Sequence, residues 1–181
     1  MTTDEDERRF VEWYEAYYAD ISAYMRRRLP EAQVADAVAD VFLVAWRRQG
    51  EVPRERPLPW LYGVARRTVA NLRRRGDRSR DLLEVLGRTS SGTLPDPAGE
   101  LSTRLAVVRA FGQLSELEQE VLRLALWEGL STREGAKVLS CAPATYAMRL
   151  HRARRRLRRL LEDEPSAEPP TQPLPTVTTV Q

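Results

Sequence analysis

Seven arginines and one histidine lie within the eleven residues from Arg149 to Arg159. Guanidinium groups pair with phosphates and guanine edges in bidentate geometry, so this run offers the charge that nucleic-acid binding requires. A second basic run spans Arg73–Arg80, whereas the N-terminal stretch through Glu7 is acidic. The net charge is only +3, with a pI of about 9.3, but local patches matter more than the total for binding a polyanion. The first chemistry that these residues indicate is phosphate binding.

Covalent chemistry has little support in the sequence. The chain has one histidine and one cysteine, and no nucleophile lies at a spacing that pairs it with a base. A lone Cys141 excludes a disulfide framework and a cysteine zinc site, and its apolar setting predicts a small core residue. We therefore expect no catalytic residue, no metal site and no cofactor. The protein is predicted not to be an enzyme.

A helix-turn-helix is the motif that best explains Leu130–Leu161. Ala136 supplies the small residue needed where two helices cross, and Ser140 stands where the chain must turn sharply. Cys141 follows as an apolar plug. Pro143 then opens the second helix at a position where a missing N–H costs little. The pattern predicts a short helix, a turn and a long second helix.

The second helix of this motif has two unlike faces. Tyr146 and Leu150, four residues apart, can face the core. The other face is the one that a DNA major groove would meet, and it carries Thr145, Arg149 and Arg152. A solvated amphipathic helix in a bundle is the alternative interpretation. The nearby arginines favour DNA binding.

Helical periodicity also dominates the chain before Gly76. One apolar stripe at three- and four-residue steps predicts a core-facing helix, and its members are Phe10, Trp13, Tyr14, Tyr17, Ile21 and Tyr24. A second helix, Ala32–Arg48, leaves Asp36 and Asp40 exposed. The segment Gly50–Pro59 holds three prolines and is predicted to be a loop.

A third helix begins near Leu58 and combines an aromatic residue with a basic face. Unpaired bases stack on aromatic rings while arginines follow the backbone, so Trp60 is a candidate for holding an unpaired base. Core packing is an equally good interpretation of Trp60. The polar and basic residues that follow it are Arg66, Arg67, Asn71, Arg73, Arg74 and Arg75.

These patterns predict an all-α protein with two small helical domains, residues 7–75 and 101–161, the second holding the helix-turn-helix. Residues 76–100 are rich in Gly, Ser, Pro and Asp and are predicted to form a flexible linker. Residues 162–181 contain five prolines and are predicted to be a disordered tail. No apolar run is long enough to span a bilayer, and the N-terminus is acidic where a signal peptide would be basic. We therefore expect a cytoplasmic protein.

Three blocks of this sequence carry a family resemblance. VADAVADVFLVAWRR (Val34–Arg48) resembles the region-2 helix by which bacterial sigma factors dock on the RNA polymerase clamp. LPWLYGVARRTVANLRRR (Leu58–Arg75) resembles the adjoining helix that recognises and melts the −10 element. LSELEQEVLRLALWEGLSTREGAKVLSCAPATYAMRLHRARRRL (Leu114–Leu157) is similar to region 4, which reads the −35 element. Both regions in this order, with no region 3 between them, resemble the extracytoplasmic-function (ECF) sigma factors.

The resemblance implies an alternative sigma factor that binds core RNA polymerase, directs it to specific promoters and aids promoter melting. The implied partners are core RNA polymerase (the clamp of its largest catalytic subunit and its flap), promoter DNA and an anti-sigma factor, with no membrane insertion. In holoenzyme the protein would be nucleoid-associated. Polymerase binding would fall to Asp36 and Asp40. The −10 contacts would be Trp60, Arg66, Arg67, Asn71 and Arg74, and the −35 contacts would be Arg133, Thr145, Tyr146, Arg149 and Arg152.

Some positions of the helix-turn-helix depart from the family's usual pattern. Gly135 takes the place of a large aliphatic residue, Ser140 that of the turn glycine, and Ala142 that of a capping serine. Gly135 and Ala142 are each expected to weaken the motif by about 1 kcal/mol, through helix propensity and a lost cap.

Two other classes of protein remain as alternatives. A conventional helix-turn-helix regulator, acting as a dimer without polymerase, explains the C-terminal half equally well. It leaves the acidic helix and the Trp60 helix unexplained. A protein-interaction adaptor leaves the placement of the arginines unexplained. Co-purification with core polymerase separates a sigma factor from both.

The spacing of promoter elements bears on the linker. Elements two helical turns of DNA apart are separated by about 70 Å. A linker of 25 residues reaches at most about 85 Å when extended and averages about 25–30 Å as a relaxed coil. One chain can therefore contact both elements only with its linker stretched.

Overall fold

Helices make up nearly all of the ordered elements in a computed structural model that describes residues 3–84 and 100–163, with side chains for 4–76 and 105–163. In chain order they are α1 (Thr3–Arg26), α2 (Val34–Arg47), α3 (Pro57–Glu84), α4 (Glu100–Gly112), α5 (Glu116–Leu126), α6 (Thr132–Val138) and α7 (Pro143–Glu162). Short 3₁₀ turns at Glu31–Gln33 and Gln49–Glu51 flank α2. These residues contain no strand, so the all-α prediction is confirmed for them.

The predicted boundary at residue 75 differs from the structure. Helix α3 continues through Gly76 to Glu84, so the first part of the predicted linker is helical. A glycine inside a helix costs only about 1 kcal/mol relative to alanine, which neighbouring helix formers offset. The rest of the predicted linker up to residue 99, and the predicted tail beyond residue 163, lie outside the described residues.

Helices α1, α2 and α3 pack against one another as a first unit. The apolar stripe predicted for α1 is buried at Trp13, Ile21 and Tyr24, whereas Tyr14 is 41% exposed. Its partners are the buried faces of α2 and α3, which meet the stripe through Val41 and other apolar side chains. This packing leaves the opposite face of α2 toward solvent.

A second unit contains α4 to α7, and two capping boxes define the starts of its middle helices. Ser115 accepts a hydrogen bond from the Glu118 N–H while the Glu118 carboxylate accepts from the Ser115 N–H. Ser131 and Glu134 repeat this arrangement at the start of α6. The caps hold down the pKa of both carboxyl groups, because the ionised form accepts these hydrogen bonds. Helix α7 packs on both α5 and α6.

The two units also pack against each other. One cluster of buried apolar side chains runs from Ile21 and Tyr24 of the first unit to Val121, Leu124 and Tyr146 of the second. Helix α3 lies against α6 along this boundary. The two helical groups therefore share part of one hydrophobic core in this structure.

Candidate nucleic-acid interface

The turn of the helix-turn-helix has the geometry that its sequence predicts. Ser140 has φ +51°, in the left-handed region that favours glycine. No other non-glycine residue in the described part of the chain has a positive φ. The Cys141 N–H donates to the Ala136 carbonyl at 3.0 Å and closes the turn. Pro143 occupies the first turn of α7, and Ala142 precedes it without a side-chain cap. The predictions for Ser140, Pro143 and the missing cap are confirmed.

Tyr146 joins α7 to α5 and α6 from inside the core. Its side chain is fully buried, and its hydroxyl donates to the Val121 carbonyl at 3.3 Å. Burial raises the pKa of this phenol to about 12, so it stays neutral. The expectation that Tyr146 contacts DNA is therefore wrong, because a side chain sealed between helices cannot reach a groove. The sequence interpretation that Tyr146 faces the core is confirmed.

Gly135 lies directly against this tyrosine. A Cβ atom at Gly135 would stand 2.3 Å from Cζ of the Tyr146 ring, a distance that real Cβ atoms do not reach. The residue therefore makes room for the ring, and its helix-propensity cost is offset by the packing of Tyr146. The sequence expectation that Gly135 only weakens the motif needs this correction.

The remaining −35 candidates lie on the solvent side of the motif. Arg133 on α6 and Arg152 on α7 are exposed, while Thr145 and Arg149 are half-buried. Thr145, Arg149 and Arg152 are spaced by four and three residues and so share one face of α7. This face borders the buried one, which carries Tyr146 and Ala153. Three of these four candidates therefore share one face of α7.

The −10 candidates follow α3. Arg67, Asn71 and Arg74 are exposed and share one helical face, and Arg66 is half-buried. The Arg74 Nη2 donates to the Asn71 Oδ1 at 2.5 Å, which orders the end of this face. The face is basic and open to solvent on the first unit.

Trp60 lies in the first turn of the same helix. It is half-buried and packs on the core of the first unit. The Arg48 guanidinium lies 5.9 Å from the centre of its ring, at the edge of cation–π range. Part of the indole therefore remains available for stacking.

Asp36 and Asp40 are both exposed and lie four residues apart on α2. Ala37 and Val38 between them and Val41 after them are buried in the core. The predicted exposure of the two aspartates is confirmed. They form an acidic stripe on the solvent side of α2.

The sequence did not predict the cleft between the units or the position of Lys137 in it. A cleft of about 720 Å³ lies between the units, with Trp60 and Arg67 on one wall and Arg133 and Lys137 on the other. Lys137 lies four residues after Arg133 on α6, and that spacing is the signal that points to it. The candidate −10 and −35 surfaces thus partly face each other across this cleft.

Neither metal binding nor membrane insertion has support within residues 3–84 and 100–163. No group of three or more histidine, cysteine or acidic side chains there is arranged to hold a metal ion. None of the described helices has the length and apolar character needed to cross a membrane.

Two family models match the chain. The model for Sigma-70 region 2 matches residues 13–79, and the model for Sigma-70 region 4 matches residues 104–157. The first range contains α2 with much of α1 and α3, and the second contains the helix-turn-helix.

Curated relatives extend the match over most of the chain. The ECF RNA polymerase sigma factor SigL of Mycobacterium tuberculosis is 33% identical over 159 residues, which cover 83% of this chain and 87% of the relative. The RNA polymerase sigma factor CnrH of Cupriavidus metallidurans is 29% identical over 146 residues, covering 74% of this chain and 76% of the relative.

Solved structures show the same fold. The sigma factor RpoE of Bartonella quintana, in complex with the anti-sigma factor NepR, has a TM-score of 0.64 at 24% identity, covering 86% of this chain and 98% of that one. CnrH in complex with the cytosolic domain of CnrY has a TM-score of 0.61 at 24% identity, covering 87% and 90%. With both regions matched in order and the helix-turn-helix in place, this chain belongs to the ECF sigma factors.

Proposed function

We propose that this chain, as an alternative sigma factor, divides its contacts between the exposed face of α2, the basic face of α3 and the outer face of α7. The proposal is supported by one observation: each of these three helices has a buried face and, beside it, a face that is open to solvent. Asp36 and Asp40 would bind core RNA polymerase, since an acidic stripe repels DNA and attracts a basic protein surface.

The outer face of α7 would read the −35 element. Arg149 and Arg152 would reach base edges and backbone, with Thr145 on the same face of α7, and Arg133 on α6 would contact a phosphate. Arg66, Arg67, Asn71 and Arg74 would hold the −10 region. Trp60, with the loop before it, would capture an unpaired base.

Reconstitution tests this function directly. Core polymerase from the same bacterium should co-purify with the chain, and the holoenzyme should give run-off transcripts from a subset of genomic fragments. A conventional helix-turn-helix regulator would bind DNA without either result. That alternative also leaves the region-2 match over residues 13–79 without a purpose.

An anti-sigma factor is the regulatory partner that we propose. Among the solved structures of this fold, the sigma factor RpoE is in complex with the anti-sigma factor NepR, and CnrH is in complex with the cytosolic domain of CnrY. We place the protein in the cytoplasm, on the nucleoid when it is part of holoenzyme, because core polymerase and promoters are there. The proposal assigns no covalent chemistry to the chain.

Arg149→Ala is expected to weaken binding of holoenzyme to a −35 duplex by about 1–3 kcal/mol, because the substitution removes a contact to a base edge. Transcription from a template already opened around −10 should hardly change. Fluorescence anisotropy on the duplex, alongside run-off assays on both templates, measures the two effects.

Arg158→Ala is the matched control, since it removes the same charge from the same helix nine residues further on, about 13 Å along the axis. It should leave discrimination between −35 sequences unchanged. Equal loss on duplex and pre-melted templates for Arg149→Ala would contradict the assignment.

Trp60→Ala is expected to reduce open-complex formation, because stacking on an unpaired base contributes about 1–3 kcal/mol. Polymerase affinity should stay near wild type. Permanganate footprinting of promoter thymines, at saturating polymerase, measures the opened region.

Trp46→Ala controls for the loss of an indole, since Trp46 belongs to the same unit and is 40% exposed. A melting curve for each variant separates instability from lost stacking. Trp60→Phe, which keeps an aromatic ring, should restore part of the footprint. If Trp60→Ala lowers the melting temperature and loses the footprint together, Trp60 is a core residue and base capture falls to the Gly50–Pro59 loop.

A further inference from the structure

The first unit gives the cleft a wall that combines an aromatic ring with open space. Trp60, Gly63 and Arg67 follow one another on α3 at three- and four-residue steps, so they share one face of the helix and line the cleft together. A Cβ atom at Gly63 would meet nothing within 4 Å. The space beside the half-buried indole of Trp60 is therefore open to a flat group.

The opposite wall, which the second unit provides, is basic. Arg133 and Lys137 lie four residues apart on α6 and are exposed, as is Arg67 across the cleft. None of these three side chains forms an ion pair within residues 4–76 and 105–163. Guanidinium and ammonium groups without an acidic partner are suited to bind phosphate oxygens. The lining of the cleft therefore favours an anionic ligand.

One carboxylate also lines the cleft, and it is already paired. Glu134 lies 2.7 Å from the guanidinium of Arg56 in the first unit. Elsewhere along the boundary, the buried Arg28 pairs with Glu120 at 2.9 Å and with Glu128 at 2.8 Å. These ion pairs join the two walls, and the pairing of Glu134 leaves the cleft with an excess of positive charge.

The size of the cleft fits one small molecule. Its volume of about 720 Å³ lies within the roughly 300–1,000 Å³ that ligand pockets have. A bare phosphate would leave the indole of Trp60 unused, and an apolar molecule would leave the cations unused. A nucleotide matches both walls, because a base stacks on an aromatic ring while cationic side chains hold the phosphates.

We propose that the cleft between α3 and α6 binds a nucleoside polyphosphate. The base stacks on Trp60 beside Gly63, and the phosphates are held by Arg67, Arg133 and Lys137. Binding of the nucleotide does not depend on the proposed function of these surfaces. Its consequence for promoters does rest on that function, since a bound nucleotide and promoter DNA would compete for Trp60, Arg67 and Arg133.

Isothermal titration calorimetry on the isolated full-length chain, without DNA or polymerase, tests the site. At least one of ATP and GTP should bind, with one site per chain. Tripolyphosphate, which lacks the base, should bind about 5- to 150-fold more weakly, because it loses the stacking on Trp60. Adenosine and guanosine, which lack the phosphates, should also bind more weakly than the nucleotide.

Two variants change the cleft in different ways. Lys137→Gln removes a phosphate contact and should weaken nucleotide binding about 10-fold. Gly63→Leu keeps every charge but fills the space beside the indole, so it should abolish binding. Arg154→Gln is the matched control, because Arg154 is an exposed cation of the second unit that does not line the cleft. That variant should bind the nucleotide as the wild type does.

Displacement of DNA gives a second readout. A fluorescent single-stranded −10 oligonucleotide is bound to the full-length chain, and the nucleotide is titrated in. The nucleotide should displace the oligonucleotide from the wild type, and Lys137→Gln should need about 10-fold more of it. Calorimetric binding of the nucleotide without displacement would uphold the site and count against the proposed −10 contacts, which separates the two failures.

Three results would overturn the nucleotide site. One is that neither ATP nor GTP binds. Another is that tripolyphosphate binds as tightly as the nucleotide, which would show a general anion patch. The third is that Lys137→Gln binds as the wild type does, or no worse than Arg154→Gln. Circular dichroism checks each variant, and if Gly63→Leu lowers the helix content, Lys137→Gln decides by the same criterion.

Discussion

Replacing Asp36 and Asp40 together by arginine is expected to abolish binding to core RNA polymerase while the helices stay folded. Both side chains are exposed on α2, so the change adds no strain to the core. The new charges would face a basic surface, and like charges brought together at an interface cost several kcal/mol, with each 1.4 kcal/mol changing the affinity about tenfold. Co-purification and a binding titration with core enzyme measure the loss, and circular dichroism checks the helices.

Glu12→Arg/Glu15→Arg serves as the control for net charge. It makes the same charge change at two exposed positions of α1. Polymerase affinity should fall far less than in the α2 variant. A double aspartate variant that binds core enzyme at the wild-type level would show that polymerase docks on another face.

Gly135→Ala is expected to destabilise the protein, although alanine is the better helix former by about 1 kcal/mol. The added Cβ would overlap the ring of Tyr146, which is fully buried and tied to the Val121 carbonyl, so the ring has nowhere to move. Overpacking of this kind costs about 1–3 kcal/mol. Thermal unfolding should show a melting temperature several degrees lower, and −35 binding should weaken because Tyr146 positions α7.

Gly63→Ala is the matched control, since a Cβ there meets nothing within 4 Å inside α3. That variant should be stabilised by about 0.5–1 kcal/mol. Tyr146→Leu removes the ring atoms that a Cβ at Gly135 would meet, so it should cost less in the Gly135→Ala background than in the wild type. A Gly135→Ala protein that melts at or above the wild-type temperature would refute the steric explanation.

Features set by neighbouring residues could be predicted from the sequence. The turn at Ser140 and the start of α7 at Pro143 follow from local backbone preferences, which act over a few residues. The exposure of Asp36 and Asp40 follows from helical periodicity, because Val38 and Val41 between and after them must be buried. The all-α fold and the family resemblance depend on the same short-range patterns.

The packing of Gly135 and Tyr146 depends on which helices contact each other in the folded protein. Nothing near Gly135 in the sequence indicates that Tyr146, eleven residues later, needs its missing side chain. The same local ambiguity placed Tyr146 among the DNA contacts, since a tyrosine on an amphipathic helix suits either face. Burial by α5 and α6 decided that question in favour of the core.

The sequence by itself determined that the chain is helical, that Asp36 and Asp40 are exposed and that the chain belongs to the ECF sigma factors, because these follow from hydrogen bonds and periodicity within short segments. Only the tertiary structure decided that the two units touch. Arg28 lies 92 residues from Glu120 and 100 from Glu128, and no local pattern pairs residues at such separations. A charged side chain survives in that place because the folded chain surrounds it with carboxylates and an aromatic ring, an environment that exists only after both units have packed.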